Sequence, residues 1–243
     1  MIQLEEIAVG TRATPAVDGP ALPILCLPGV LGDALVFEPL AALLPHRRVL
    51  LADLPLGDPW RAAPILARRL EGLGPFHVLT GSYGGLVAHK LGEHLVASAA
   101  HVATLPDLSM REDRRLWTGR VLQRTPAPLV IRLYREHLAR SLAQDGLDQA
   151  MVQRLLERTR SKEELMDRLW CILNDQLPER PPERPTLWIV GEDDTQAAWS
   201  TAEIQAAQPG VQVAHVPGGH RPYATHPQPL VARLEDFWRQ VEG

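Results

Sequence analysis

The sequence predicts an α/β protein: a mostly parallel, doubly wound sheet with helices on both faces and a helical segment inserted into it. Three observations predict this. Short apolar runs of strand length alternate with stretches of helical spacing through the N-terminal part of the chain. The runs Pro23–Leu27, Arg48–Asp53 and His77–Leu79 are largely apolar along their length, as strands covered on both faces are. The alternation then stops and later resumes. Residues 1–108 and 183–243 therefore read as one core, and residues 109–182 as a helical insertion within it.

Each element has a local reason. Ile2 to Val9 and Arg12 to Val17 can pair as a hairpin around Gly10, before the turn cluster Asp18-Gly19-Pro20. The strand Pro23–Leu27 empties into Pro28-Gly29-Val30-Leu31-Gly32-Asp33. Val36 to Leu44 has helical spacing and Pro45 ends it. Arg48 to Asp53 is the next strand, and Trp60 to Leu73 an amphipathic helix closed by glycine. His77 to Leu79 leads into Thr80-Gly81-Ser82-Tyr83-Gly84-Gly85, and a helix is expected from there to about Ala97. His101 to Leu105 completes the first βαβαβαβ series. Within the insertion, Met151-Val152-Leu155-Leu156 and Leu165-Leu169-Ile172-Leu173 have helical spacing, and a proline-rich linker through Pro185 ends it. Thr186 to Val190, Trp199 to Gln208, Val211 to Val216 and Pro227 to Val241 read as strand, helix, strand and closing helix.

Composition bounds the function. The chain has 243 residues, 45% hydrophobic and 22% charged, enough for a core of ordinary size. A net charge of −4 argues against a nucleic-acid partner. Cys26 and Cys171 lie far apart in apolar contexts and read as buried thiols in a reducing, cytoplasmic setting. No signal peptide is legible at Met1–Glu6, and no uncharged run reaches the ~20 residues of a membrane span. The sequence carries no signal of oligomeric state.

The chemistry concentrates at Ser82. A strand, a turn of small residues around one serine, and a helix form the context of a nucleophile elbow. The serine sits at the tip of a strained turn, so the positions two residues before and after it must be small. Gly84 satisfies this, whereas Thr80 is β-branched where glycine is usual. A serine hydroxyl needs a base to take its proton, and the base needs an orienting acid. In a doubly wound sheet these groups belong on loops at the C-terminal ends of strands. Gly191-Glu192-Asp193-Asp194 and Pro217-Gly218-Gly219-His220-Arg221-Pro222 are two such loops. Asp193 and Asp107 compete for the acid; His215 and His226 compete with His220 for the base.

With these motifs in place, the chain resembles the α/β-hydrolases over most of its length outside the insertion. Thr80-Gly81-Ser82-Tyr83-Gly84-Gly85 is similar to the family's serine motif, Gly191-Glu192-Asp193-Asp194 to its acid loop and Gly218-Gly219-His220 to its histidine loop. The resemblance implies an α/β-hydrolase fold, with Ser82 as nucleophile, Asp194 as acid and His220 as base. It also implies an oxyanion hole from the N–H groups of Tyr83 and Val30, although Pro28-Gly29 stands where the family usually has His-Gly. The insertion falls where the family carries its cap domain. Trp117, Tyr134, Met166 and Trp170 then either line a pocket beneath that cap or fill its core, and Leu31, in the loop after the Pro23–Leu27 strand, is a candidate substrate contact. The implied activity is hydrolysis of a small-molecule carboxylic ester or related acyl substrate through an acyl-enzyme, with no cofactor and no metal. Arg168–Asn174 and Gly218–Tyr223 also resemble the maspardin-like branch, which implies as an alternative a non-catalytic binding or scaffold protein on the same fold.

Overall fold

The computed structural model describes residues 4–7, 21–30, 32–54, 59–72, 75–104, 121, 124–157, 161–163, 165–166 and 184–243. Strands with apolar side chains on both faces must be covered on both faces, and this dictates the layering. The strands β1 (Leu4–Ile7), β2 (Ile24–Leu27), β3 (Val49–Ala52), β4 (Phe76–Gly81), β5 (Val96–Val102), β6 (Thr186–Gly191) and β7 (Gln212–Val216) form one sheet in the order β1-β3-β2-β4-β5-β6-β7. β1 runs antiparallel to β3, and every other pairing is parallel. Thus β1 finds its described partner in β3; the Arg12–Val17 arm of the expected hairpin lies outside the described residues.

The helices flank this sheet. A 3₁₀ turn (Ala34–Phe37) leads into α1 (Glu38–Ala41), followed by α2 (Pro59–Leu70) and α3 (Gly84–His89). Within the expected insertion lie α4 (Ala127–Gln144) and α5 (Gln149–Glu157). α6 (Thr201–Ala207), α7 (Pro222–Thr225) and α8 (Pro227–Glu242) complete the chain. One core cluster packs Phe37, Leu40, Leu230, Leu234 and Trp238 against one face of the sheet; it also takes in Leu138, Leu142 and Leu155 of α4 and α5. The other packs Leu66, Leu70, Leu86 and Val87 against the opposite face. Among the described residues, no helix is long and apolar enough to cross a membrane.

One expectation needs correction. The helix after Ser82 does not run to Ala97. It ends at His89, a short 3₁₀ turn spans Glu93–Leu95, and β5 begins at Val96 rather than His101. The run Val96-Ala97-Ser98-Ala99-Ala100 has good helical propensity, but β5 pairs with both β4 and β6, and Ser98, Ala99 and Ala100 are fully buried there. Tertiary burial overrides a local preference worth only a few tenths of a kcal/mol per residue.

The N-terminal ends of the parallel strands are held by an ion network. Arg47, just before β3, donates to Glu235 at 2.9 and 3.1 Å and to Glu242 at 2.7 and 3.0 Å, both on α8. Glu242 also accepts the Leu22 N–H at 3.0 Å and lies 3.0 Å from His77 Nε2. The Arg47 guanidinium sits over Trp238, which stacks on His77. At the centre of the sheet, Cys26 is a buried free thiol on β2, and burial pushes its pKa up.

Candidate active site

Ser82, Asp194 and His220 follow the C-terminal ends of β4, β6 and β7, on the opposite side of the sheet from Arg47. Ser82 follows β4 with φ of 46°, a left-handed conformation that non-glycine residues seldom adopt. Three contacts hold it there. Its N–H donates to Val102 O at 2.9 Å, and its carbonyl accepts from Gly85 N at 3.0 Å and from Thr104 Oγ1 at 3.1 Å. Gly84 is required by close approach, because a Cβ there would lie 2.2 Å from the carbonyl oxygen of Leu27. The same proximity places the Pro28-Gly29 loop against the serine, with a Cβ on Gly29 falling 3.4 Å from Ser82 Cβ.

Thr80 finds a role in this arrangement. It is fully buried, and its hydroxyl lies 3.0 Å from His101 Nδ1 on β5 and 3.5 Å from Thr104 Oγ1. His101 in turn stacks on His89 of α3 and packs against Trp188 of β6. Burial holds both histidines below the ordinary imidazole range, His89 at about 4. A small polar group, rather than empty space, thus supports the turn from beneath.

Asp194 and His220 meet directly. Asp194, at the end of β6, places Oδ2 2.9 Å from His220 Nδ1 at the end of β7. Its Oδ1 accepts from Gln196 N at 2.7 Å and Ala197 N at 3.0 Å. Burial raises the Asp194 carboxyl, but the bond and charge of His220 and the two backbone donors outweigh it, leaving its pKa below the usual range. With Nδ1 held by Asp194, Nε2 is the remaining ring nitrogen of His220. The acid and base loops are zipped together: Glu192 N donates to Val216 O at 2.9 Å and Asp193 N to Gly218 O at 3.0 Å. Gly218 holds φ of 104°, which glycine tolerates.

The base loop reaches back to the serine turn through Tyr223. A Cβ on Gly81, next to Ser82, would lie 2.7 Å from the Tyr223 hydroxyl, and the Tyr223 ring packs on Phe37 at 4.4 Å. Burial moves the Tyr223 phenol up to about 12.

The described competitors His215, His226 and Asp193 are all exposed. His215 is exposed on the edge strand β7 and bonds Thr201 at 3.0 Å. His226 is exposed ahead of α8, and Asp193 is exposed beside Asp194. Asp33 and Asp53 are buried turn residues that accept the N–H groups of Leu35 and Ala34, both at 2.9 Å. Tyr134 on α4 packs against the main core cluster, and Met166 is half-buried. Asp107, Leu31, Trp117 and Trp170 lie outside the described residues.

Several residues of this region carry no sequence motif. Thr104 and His101 support the turn. Arg221 donates to Ser141 Oγ at 3.0 Å and pairs with Asp145, while Gln196 Nε2 donates to Ser141 Oγ at 3.1 Å. Asp145 and Ser141 belong to the α4 region, remote in sequence, and only the Asp-Gly helix-end signal at 145–146 marks the spot.

Comparison with known proteins agrees with this architecture. The sequence matches the alpha/beta hydrolase family over residues 24–233, and the chain belongs to that family. Among solved structures it is similar to a thermophilic esterase from Thermogutta terrifontis, with a TM-score of 0.71 at 18% identity over 100% of this chain and 94% of that one. It is also similar to MenH from S. aureus, with a TM-score of 0.74 at 18% identity over 100% and 99% of the two chains. The esterase EaEST from Exiguobacterium antarcticum gives a TM-score of 0.73 at 17% identity over 98% and 95%. At such identities the likeness speaks to the fold alone. Among curated protein sequences no significant match was found.

Proposed function

We propose that the chain is a serine hydrolase that cleaves a carboxylic ester or related acyl bond of a small molecule. The observation that carries this reading is the 2.9 Å bond between His220 Nδ1 and Asp194 Oδ2 on the sheet edge that also bears the strained Ser82. In the reading, His220 Nε2 takes the Ser82 proton as Oγ attacks the carbonyl carbon. The N–H groups of Tyr83 and Val30 hold the tetrahedral oxyanion. His220 gives its proton to the leaving alcohol, and an acyl-enzyme remains. His220 then activates water, which releases the acid and restores Ser82. Asp194 fixes the imidazole tautomer and stabilises its charged form. All steps draw on side chains and backbone N–H groups of this chain.

The segment 109–182 would act as a helical cap over Ser82, with Leu31, Trp117, Tyr134, Met166 and Trp170 lining an apolar acyl or alcohol site. The membership of known esterases in this fold supports the ester as first substrate to test. Wild-type protein should react with a fluorophosphonate probe and hydrolyse short p-nitrophenyl esters, and Ser82→Ala should do neither while staying folded. Equal turnover by the mutant would sink the nucleophile assignment. An unreactive wild type would favour a non-catalytic binding protein.

A further inference from the structure

The helical insertion also reaches the loop that carries His220, through a buried polar contact the serine mechanism does not use. Asp145 caps the C-terminus of α4. A carboxylate is disfavoured there, because the last turn of a helix already presents partial negative charge. Something outside the helix must compensate, and the His220 loop does so. Arg221 donates to Asp145 Oδ2, and the His220 N–H donates to Asp145 Oδ1 at 3.3 Å. The pair is largely dehydrated, with both side chains 9% exposed. Gly219 shows that the loop backbone is fitted to this carboxylate, since a Cβ there would lie 2.5 Å from Asp145 Oδ1. One turn earlier on α4, Ser141 Oγ accepts from Arg221 at 3.0 Å and from Gln196 at 3.1 Å. Gln196 in turn donates its backbone N–H to Asp194 at 2.7 Å. One helix end therefore touches the loop of the candidate base and the loop of the candidate acid.

We propose that Asp145 is a positioning residue for His220: the insertion holds the imidazole against Asp194 by gripping the backbone and the next side chain of its loop. The proposal rests on the serine-hydrolase reading. It predicts that the insertion sets turnover as well as substrate access, because misplacement of a catalytic group by about 1 Å can cost about 100-fold in rate.

A structural role alone makes a different prediction, and two variants separate them. Replacing a buried ion pair by apolar groups of similar volume is often neutral for stability, whereas removing one partner is strongly destabilising. The double variant Asp145→Leu/Arg221→Met should therefore keep its Tm but lose the grip on the His220 N–H. Its kcat on a p-nitrophenyl ester should fall about 10- to 100-fold with KM little changed. Asp145→Asn keeps an oxygen for the His220 N–H but strands Arg221. It should melt lower yet lose less kcat than the double variant. A second readout needs no substrate: the low-field imidazole N–H resonance of the His220–Asp194 pair, assigned by its loss in Asp194→Asn. It should broaden or vanish in the double variant and persist in Asp145→Asn. Wild-type kcat and an unchanged resonance in the double variant would overturn the proposal. If wild-type protein fails to label with a fluorophosphonate, the serine reading falls instead, and the resonance alone decides whether Asp145 holds the loop.

Discussion

Arg47 and Arg221 are both buried arginines paired with carboxylates, and they sit at opposite ends of the same sheet. Arg47 faces the N-terminal ends of the strands and engages two glutamates of α8 through four hydrogen bonds. Those glutamates remain partly exposed, at 21% and 23%, so water shares their charge. Arg221 faces the C-terminal ends, pairs with the carboxylate of Asp145, and both partners are nearly dry. The first network joins elements of the core to each other. The second joins the loop after β7 to the end of α4, one residue from His220. The same chemistry thus anchors the scaffold at one end and sets the geometry of the candidate site at the other. Mutation at the first end should register in Tm alone, and at the second in rate as well as in Tm.

The largest expected effect lies at the site end. Ser82→Ala should lower ester hydrolysis by about 10⁴-fold or more, with Tm little changed. Steady-state kinetics and a melting curve on the same preparation test both halves. Asp194→Asn comes next. It should keep the fold but leave the imidazole in the wrong tautomer, with kcat down by about 10²- to 10⁴-fold. At the scaffold end, Arg47→Met should strand two glutamates and cost about 3 kcal/mol, with kcat of the folded fraction unchanged. Denaturant titration beside kinetics would show it, and a loss of kcat without a loss of stability would erase the contrast between the ends.

Acid should weaken the molecule in a defined order. His89 titrates at about 4 when folded, against an ordinary value of 6.5. The unfolded chain therefore binds this proton more readily, and the stability tied to the neutral ring is lost as pH falls from 6.5 towards 4. His77 and His101 are shifted in the same direction by burial. Glu242, held down to about 2 chiefly by its bond with Arg47, adds a loss between its ordinary 4.5 and about 2. Tm measured across these windows should fall in two stages. His89→Phe, which keeps a ring against His101, should flatten the first stage, and Arg47→Met the second. The smallest effect belongs to Thr80→Val. It removes the hydroxyl beside His101 at similar volume and should cost about 1 kcal/mol, read as a Tm lower by a few degrees.

The sequence displays the scaffold end and the site end unequally. Strands such as Ile24–Leu27 and Thr186–Gly191 are legible because burial on both faces demands an unbroken apolar run. β5 is misplaced in the sequence because alanine and serine suit a helix locally, and only its neighbours make it a strand. Asp194 and His220 are legible as loop residues after strands, since parallel topology brings such loops together. Asp145 is not, because it lies 75 residues before His220, and neither the Arg221 side chain nor the His220 N–H that it binds forms a motif with it in the sequence. Thr80 looks like a flaw in a glycine motif until His101 is placed beside it, and that pairing depends on the register of β4 with β5.

Cys26 gives the chain an internal clock. Its strand β2 lies between β3 and β4, its thiol is buried in the core cluster that holds Phe37, Leu40 and Trp238, and burial keeps it protonated. Alkylating reagents attack thiolates that they can reach, so this sulfur is silent while the core over this face stays packed. The rate at which iodoacetamide marks Cys26, read by peptide mass, therefore counts openings of that core. Motions confined to surface loops leave that count untouched.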